Sequence, residues 1–183
     1  MKLHKLNSII LTVFIFIFIG CNHDNFYQTK RIIETDKTEY KIGDTIHLTL
    51  KIIPLEKSKE IKVYKNYKNF EISFSLVNSK TSIHNEQWSE KSGGNLPKTE
   101  HKIIPITKES PFVKTFLVFI SQKNEKILLE IPELKLITKY DLDVIKNNSI
   151  RIHTFCNPIN PEYGASLEEY FETKDIKINT ANN

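Results

Sequence analysis

The sequence predicts an all-β fold, and three observations lead there. Ile46, Leu48, Leu50 and Ile52 alternate with His47, Thr49 and Lys51; Phe70, Ile72, Phe74 and Leu76 alternate with Glu71, Ser73 and Ser75; Ile150 and Ile152 alternate with Arg151 and His153. Successive side chains on a strand point to opposite faces, so a period of two marks a strand with one buried face. No stretch of comparable length carries the period of an amphipathic helix, and no internal repeat occurs. Turn formers also interrupt the chain at short intervals, among them Gly43-Asp44, Pro54 and Asn147-Asn148. About seven to nine short strands packed as one β-sandwich domain follow from this spacing.

The amino-terminal stretch is of another kind. Lys2 and Lys5 precede an apolar run from Ile9 to Ile19, interrupted only by Thr12, that stops at Gly20-Cys21. That run is well short of the roughly 20 residues a spanning helix needs, and a basic start, apolar middle and small residue before the break describe a secretory signal. Phe18-Ile19-Gly20-Cys21 resembles the lipobox of bacterial lipoproteins, with Phe18 where Leu is usual. The resemblance implies removal of residues 1–20 and a mature chain that begins at Cys21. That cysteine would carry a thioether-linked diacylglycerol and an acylated amine, palmitate among its acyl groups, which would anchor the protein to a membrane of the bacterial cell envelope. Asn22 stands where an Asp would signal retention at the inner membrane, so the resemblance is to the outer-membrane class. Residues 21–29 are polar without an apolar period and read as a tether. From Asn22 to Thr29 it reaches at most about 28 Å at about 3.5 Å per residue. The folded domain is expected over residues 30–180.

Loss of residues 1–20 leaves 163 of the 183 residues and, with Lys2 and Lys5 gone, lowers the formal charge from +4 to +2. A chain of that length forms one domain with a substantial core. Its excess basicity belongs to the targeting segment, and Arg31 and Arg151 are its only arginines. Neither property is a nucleic-acid footprint, so no nucleic-acid partner is expected. Of the two cysteines, Cys21 would be consumed by lipid, which leaves Cys156 without an intrachain disulfide partner. Cys156 reads as a small buried apolar residue near a strand end.

In chain order, Lys30 to Thr35 gives a first strand. Tyr40-Lys41-Ile42-Gly43-Asp44-Thr45-Ile46 resembles the lead into the second strand of many bacterial immunoglobulin-like domains, which implies an immunoglobulin-like sandwich. Thr45 to Ile53 forms that strand and Pro54 closes it. Ile61 and Val63 mark a short strand, and Phe70 to Leu76 a clearer one. Tyr64 to Asn69, aromatics among lysines, reads as a solvated loop and not as a stacking platform, because such platforms recur around a groove. Asn78 to Lys102 reads as a long loop or irregular edge hairpin, with Trp88 as a plug on the core. Lys102 to Ile106 and Phe112 to Ser121 add two strands, and the nearly all-apolar Phe116 to Ile120 predicts a strand that is central or buried on both faces. Around Pro132, Lys126 to Ile131 and Leu134 to Thr138 are helix or strand. Ser149 to Phe155 is a strand, Asn157 to Gly164 a loop, Ser166 with Glu169 fits the cap of one helical turn through Tyr170, and Thr173 to Ile178 closes the fold as a strand.

Chemistry is sparse. None of the six histidines forms a metal-ligand pair at helical spacing, and His47 and His153 both fall on the polar phase of a strand, where exposure is expected. Asp141 and Asp143 could share one face without further oxygen ligands around them, so no metal is expected. No nucleophile elbow, phosphate loop or dinucleotide fingerprint occurs among five glycines. No catalytic residues and no cofactors are therefore assigned, and the chain is read as a non-catalytic binding or structural module held at the envelope by lipid on Cys21. Its partner would be an envelope protein. Asn157, Pro158, Pro161 and Tyr163 form the candidate binding loop, because prolines restrain it and Tyr163 offers an aromatic contact. A small-ligand carrier with a lipocalin-like barrel and an inhibitor or immunity-type lipoprotein are the alternatives.

Overall fold

The computed structural model describes residues 29–55, 58–67, 70–78, 87–88, 101–156 and 169–180. The chain is all-β. Its strands are β1 (Thr29–Thr35), β2 (Glu39–Lys41), β3 (Thr45–Pro54), β4 (Lys59–Tyr64), β5 (Phe70–Val77), β6 (Gln87–Trp88), β7 (His101–Ile106), β8 (Phe112–Lys123), β9 (Lys126–Ile131), β10 (Leu136–Asp141), β11 (Ser149–Cys156), β12 (Glu169–Glu172) and β13 (Lys177–Asn179). A six-residue helix, α1 (Leu142–Asn147), joins β10 to β11. Thirteen strands among the described residues exceed the expected number because β2, β6 and β12, each four residues or shorter, add to it and both segments flanking Pro132 are strands. Such short strands cannot show a period in sequence.

Two antiparallel sheets form the body. One runs β1-β3-β8-β9-β10 and the other β12-β11-β5-β6. The inward side chains of both enter one core: Leu48 of β3, Phe116 of β8 and Leu129 of β9 meet Ile72 and Phe74 of β5 and Ile152 of β11. Tyr140 of β10 donates its hydroxyl to the Phe74 carbonyl at 3.0 Å and so joins the sheets by a hydrogen bond as well. Burial pushes that phenol up from its ordinary pKa. The pair β4 and β7 packs Ile61, Val63 and Ile106 against Leu50, Ile52 and Phe70 in a second cluster. β2 and β13 pair in parallel, which brings the end of the domain back to its start.

The segment ahead of β3 shows how local chemistry fixes the first turn. Gly43 sits at φ +94°, a conformation that favours glycine, and its N–H donates to the Ile120 carbonyl at 2.9 Å. Asp44 accepts from the Lys41 N–H at 2.9 Å. Upstream, Asp36 Oδ1 accepts from the Tyr40 hydroxyl and from the His47 N–H, each at 2.8 Å. Burial works to raise the Asp36 pKa, but the hydrogen bonds from His47 and Tyr40 outweigh it and hold the carboxyl below its ordinary 3.8. Burial, then donation to Asp36, pushes Tyr40 up to about 12. A carboxylate with a depressed folded pKa contributes stability above its unfolded value and loses it as the pH falls through the folded one. Asp36→Asn is therefore expected to flatten the dependence of stability on pH below about 4, measured by urea unfolding across the acid range. An unchanged acid profile would assign that dependence to other groups.

Several expectations need correction. The first strand begins at Thr29, one residue before the expected Lys30, and Thr29 is buried and pairs with Pro54. Phe116 to Ile120 is central, between β3 and β9, yet buried on one face only: Leu117 is 43% and Phe119 41% exposed. Tyr67, read as loop, closes a 3-10 turn and packs edge-on to Phe70 and Phe116, with Lys114 Nζ 4.4 Å from its ring centre. Pro132 to Leu134 is a 3-10 turn between two strands, ended by Lys135 at φ 53°. Glu169 to Glu172 is strand and not part of a capped helical turn. The final strand covers only Lys177–Asn179, with Ile176 bridged singly to Ile150.

Candidate functional site

The alternation that buries Ile72, Phe74, Leu76, Ile150 and Ile152 turns Ser73, Ser75, Arg151 and His153 to the outward face of the second sheet. Pairing puts His153 opposite Ser73 on one side and Glu172 on the other. These neighbours form a chain of polar contacts. Ser75 Oγ and His153 Nε2 are hydrogen-bonded. His153 Nδ1 lies 3.4 Å from Glu172 Oε2, and Glu172 Oε1 accepts from Arg151 Nη1 at 3.0 Å. Arg151 Nε donates to Asp175 Oδ1 at 2.8 Å. That contact and the carboxylate of Glu172 raise the Arg151 pKa further above its ordinary value. Thr173 locks the strand end to β11, its N–H donating to the Ile152 carbonyl at 2.9 Å and its hydroxyl accepting from the Ile152 N–H at 3.1 Å.

His153 is thus buried and not exposed as its polar phase predicts. It is 1% exposed, and Ser73 and Ser75 are each 0%. A period of two says which side chains share a face; it does not say whether that face meets water. Serine, imidazole and carboxylate in this order are the parts of a nucleophile, a base and its orienting acid. Here the hydroxyl lies on a strand at the sheet centre and is closed to solvent, the setting of a buried polar network. Ser73 Oγ, beside it, has no hydrogen-bond partner among the described residues. Ser75→Ala removes a buried hydrogen bond to His153 Nε2 and is expected to lower unfolding stability by about 1 to 3 kcal/mol, read from urea midpoints. A neutral outcome would mean that the serine contributes nothing to the network.

The remaining sequence-derived residues separate. His47 is exposed on β3, far along the chain pairing from His153, which belongs to the other sheet. Asp141 and Asp143 each face a lysine: Lys126 Nζ is 3.1 Å from Asp141, and Lys146 Nζ is 3.3 Å from Asp143. Among the described residues no group of three His, Cys, Asp or Glu could hold a metal ion. Cys21 and the loop residues Asn157, Pro158, Pro161 and Tyr163 lie outside the described residues, as does the side chain of Trp88, whose backbone forms β6 at the sheet edge. The backbone of Cys156 ends β11. Among the described residues no helix is long and apolar enough to cross a membrane.

The feature missed in sequence is an apolar outward face on the first sheet. Val113 is 53%, Leu117 43%, Phe119 41% and Ile137 47% exposed. Val113, Leu117 and Phe119 alternate along β8, and Ile137 reaches the same face through Glu130, which pairs with both Phe119 and Ile137. The signal was present as the unbroken apolar run of β8.

No family model and no curated protein matches the sequence. Among solved structures, a β-glucosidase from Listeria innocua is similar at a TM-score of 0.34 and 11% identity, over 84% of this chain and 17% of that one. The sporulation control protein Spo0M from Bacillus subtilis is similar at 0.34 and 8% identity, over 86% of this chain and 51% of that one. The chain therefore spans only part of either protein, and likenesses of this strength carry no functional argument.

Proposed function

We propose that the protein is a lipid-anchored bacterial envelope lipoprotein whose immunoglobulin-like β-sandwich acts as a non-catalytic binding or structural module. The observation that carries this reading is the amino-terminal pattern: Lys2 and Lys5, a short apolar run, and Gly20-Cys21 at its end. Residues 1–20 act as the signal peptide, residues 21–29 as the tether, and the domain is presented at a membrane, the outer one in a two-membrane cell. Two sheets around a shared core, with the chain passing from the first to the second between β3 and β5, back between β6 and β8, and across again between β10 and β11, support the sandwich. Open sheet orders and a core filled by Phe74 and Phe116 favour it over a carrier barrel, which needs a closed sheet around a cavity. The solvent-closed state of Ser75 and His153 favours binding over catalysis.

The partner contact assigned to Asn157, Pro158, Pro161 and Tyr163 is tested by Tyr163→Ala in the full chain. Recovery of a cross-linked envelope protein should fall while the melting temperature stays within a few degrees. A drop in stability, with recovery falling only as the folded fraction falls, would assign Tyr163 to packing. Turnover of an envelope substrate by the purified protein, lost on Ser75→Ala, would overturn the non-catalytic reading.

A further inference from the structure

We propose that the outward face of the five-stranded sheet rests on the headgroup layer of an anionic phospholipid bilayer. The inference rests on the lipid-anchor reading and adds the orientation of the domain. Val113, Leu117, Phe119 and Ile137 project from one sheet face, each residue 41 to 53% exposed. Large apolar side chains grouped on a single face are uncommon on a surface that meets only water. The opposite outward face, on the four-stranded sheet, buries Ser73, Ser75 and His153 and shows no equivalent among the described residues.

Charge favours a phospholipid surface as the occupant. Register places Lys30, Lys51, Lys123 and Lys139 on the apolar face, against Glu34 and Glu130. Asp141, on the same face, is already taken by Lys126 at 3.1 Å. Lysines around exposed apolar side chains suit the interface of an anionic leaflet, where the cations meet phosphates and the apolar groups enter the headgroup boundary.

The path of the chain gives the second argument. β1 is an edge strand of this same sheet, and its first residue, Thr29, follows Cys21 by eight residues. Eight residues reach at most about 28 Å. Five strands at about 4.8 Å spacing are about 19 Å across, so a lipid on Cys21 can enter the bilayer with the whole sheet lying on it. Tethering raises the effective concentration of the face at the membrane, so a contact too weak to bind alone becomes populated.

The test uses the full lipidated protein in vesicles of phosphatidylethanolamine and phosphatidylglycerol. Cys156→Ser is combined with Phe119→Cys, or in a second variant with Ile137→Cys, each labelled with nitrobenzoxadiazole; Lys174→Cys, exposed between β12 and β13, is the comparison. The lipidated thiol of Cys21 does not take the label. Blue-shifted emission at both sheet positions, with loss of fluorescence on adding spin-labelled lipids and little loss at Lys174, is the expected result. Equal quenching at all three positions would overturn the orientation, and so would a blue shift without lipid quenching, which marks a protein partner or a second copy on this face. Failure of the protein to float with vesicles at all would instead overturn the anchor, and the orientation with it.

Discussion

Cys21→Ser is expected to abolish incorporation of radiolabelled palmitate and to leave the chain as an unprocessed precursor. In the proposed lipoprotein the thiol would accept the diacylglycerol, and cleavage by the lipoprotein signal peptidase would depend on that modification. Serine supplies a hydroxyl of nearly the same size, so the variant tests chemistry and not bulk. Each buried methylene contributes about 0.8 kcal/mol, so two or three acyl chains hold the protein to the membrane stably where one is marginal. The effect on membrane fractionation should be nearly all-or-none. Unchanged labelling in the variant would remove the lipid anchor and, with it, the envelope assignment.

The second large effect concerns the core. Leu48 is 0% exposed at the centre of β3, paired with Thr35 of β1 on one side and Phe116 of β8 on the other. It sits where both sheets meet. Leu48→Ala removes buried methyl groups and leaves a cavity that a sheet held on both sides cannot close, at a cost of about 2 to 5 kcal/mol. For a domain of this size that corresponds to a fall of roughly 4 to 20 °C in melting temperature. Thr49, one residue on, faces outward and shares only an exposed hydrogen bond with Thr115 at 3.0 Å. Thr49→Ala should change stability by less than about 0.5 kcal/mol. Similar losses at both positions would contradict the register of β3.

What was legible in sequence follows the same physics. β3 and β5 were readable because each carries three period-two steps, long enough for alternation to exceed chance, and β11 because Ile150 and Ile152 alternate with Arg151 and His153 just after the Asn147-Asn148 turn. The Gly43-Asp44 turn was readable from its residue types, and its φ of +94° is the reason they occur there. α1 was not readable. Leu142, Val144 and Ile145 span less than two turns, and the helix is held by contacts distant in sequence, its first N–H donating to the Glu125 carbonyl at 2.8 Å. β12 was missed for a related reason: the Ser166 and Glu169 spacing fits a helix cap, while pairing of Glu172 to His153 makes a strand. Local propensity lost to tertiary pairing there.

The site was less legible than the fold. Ser75, His153 and Glu172 stand 78 and 19 residues apart along the chain, and only the β5-β11-β12 order brings them together. His153 could be placed on a face but not given an environment, since burial of a polar face depends on what the rest of the chain lays over it. The outward face of β8 is the converse case. An apolar run reads as buried on both sides, and Leu117 and Phe119 become exposed because the five-stranded sheet has a core on one side only.

The most direct test of a lipid-anchored envelope module is mass spectrometry of the amino-terminal peptide from protein extracted from the envelope. The predicted peptide begins at Cys21, lacks Met1 to Gly20, and carries a diacylglyceryl thioether with an acylated amine. A peptide beginning at Met1, or at Cys21 with a free thiol, would contradict it.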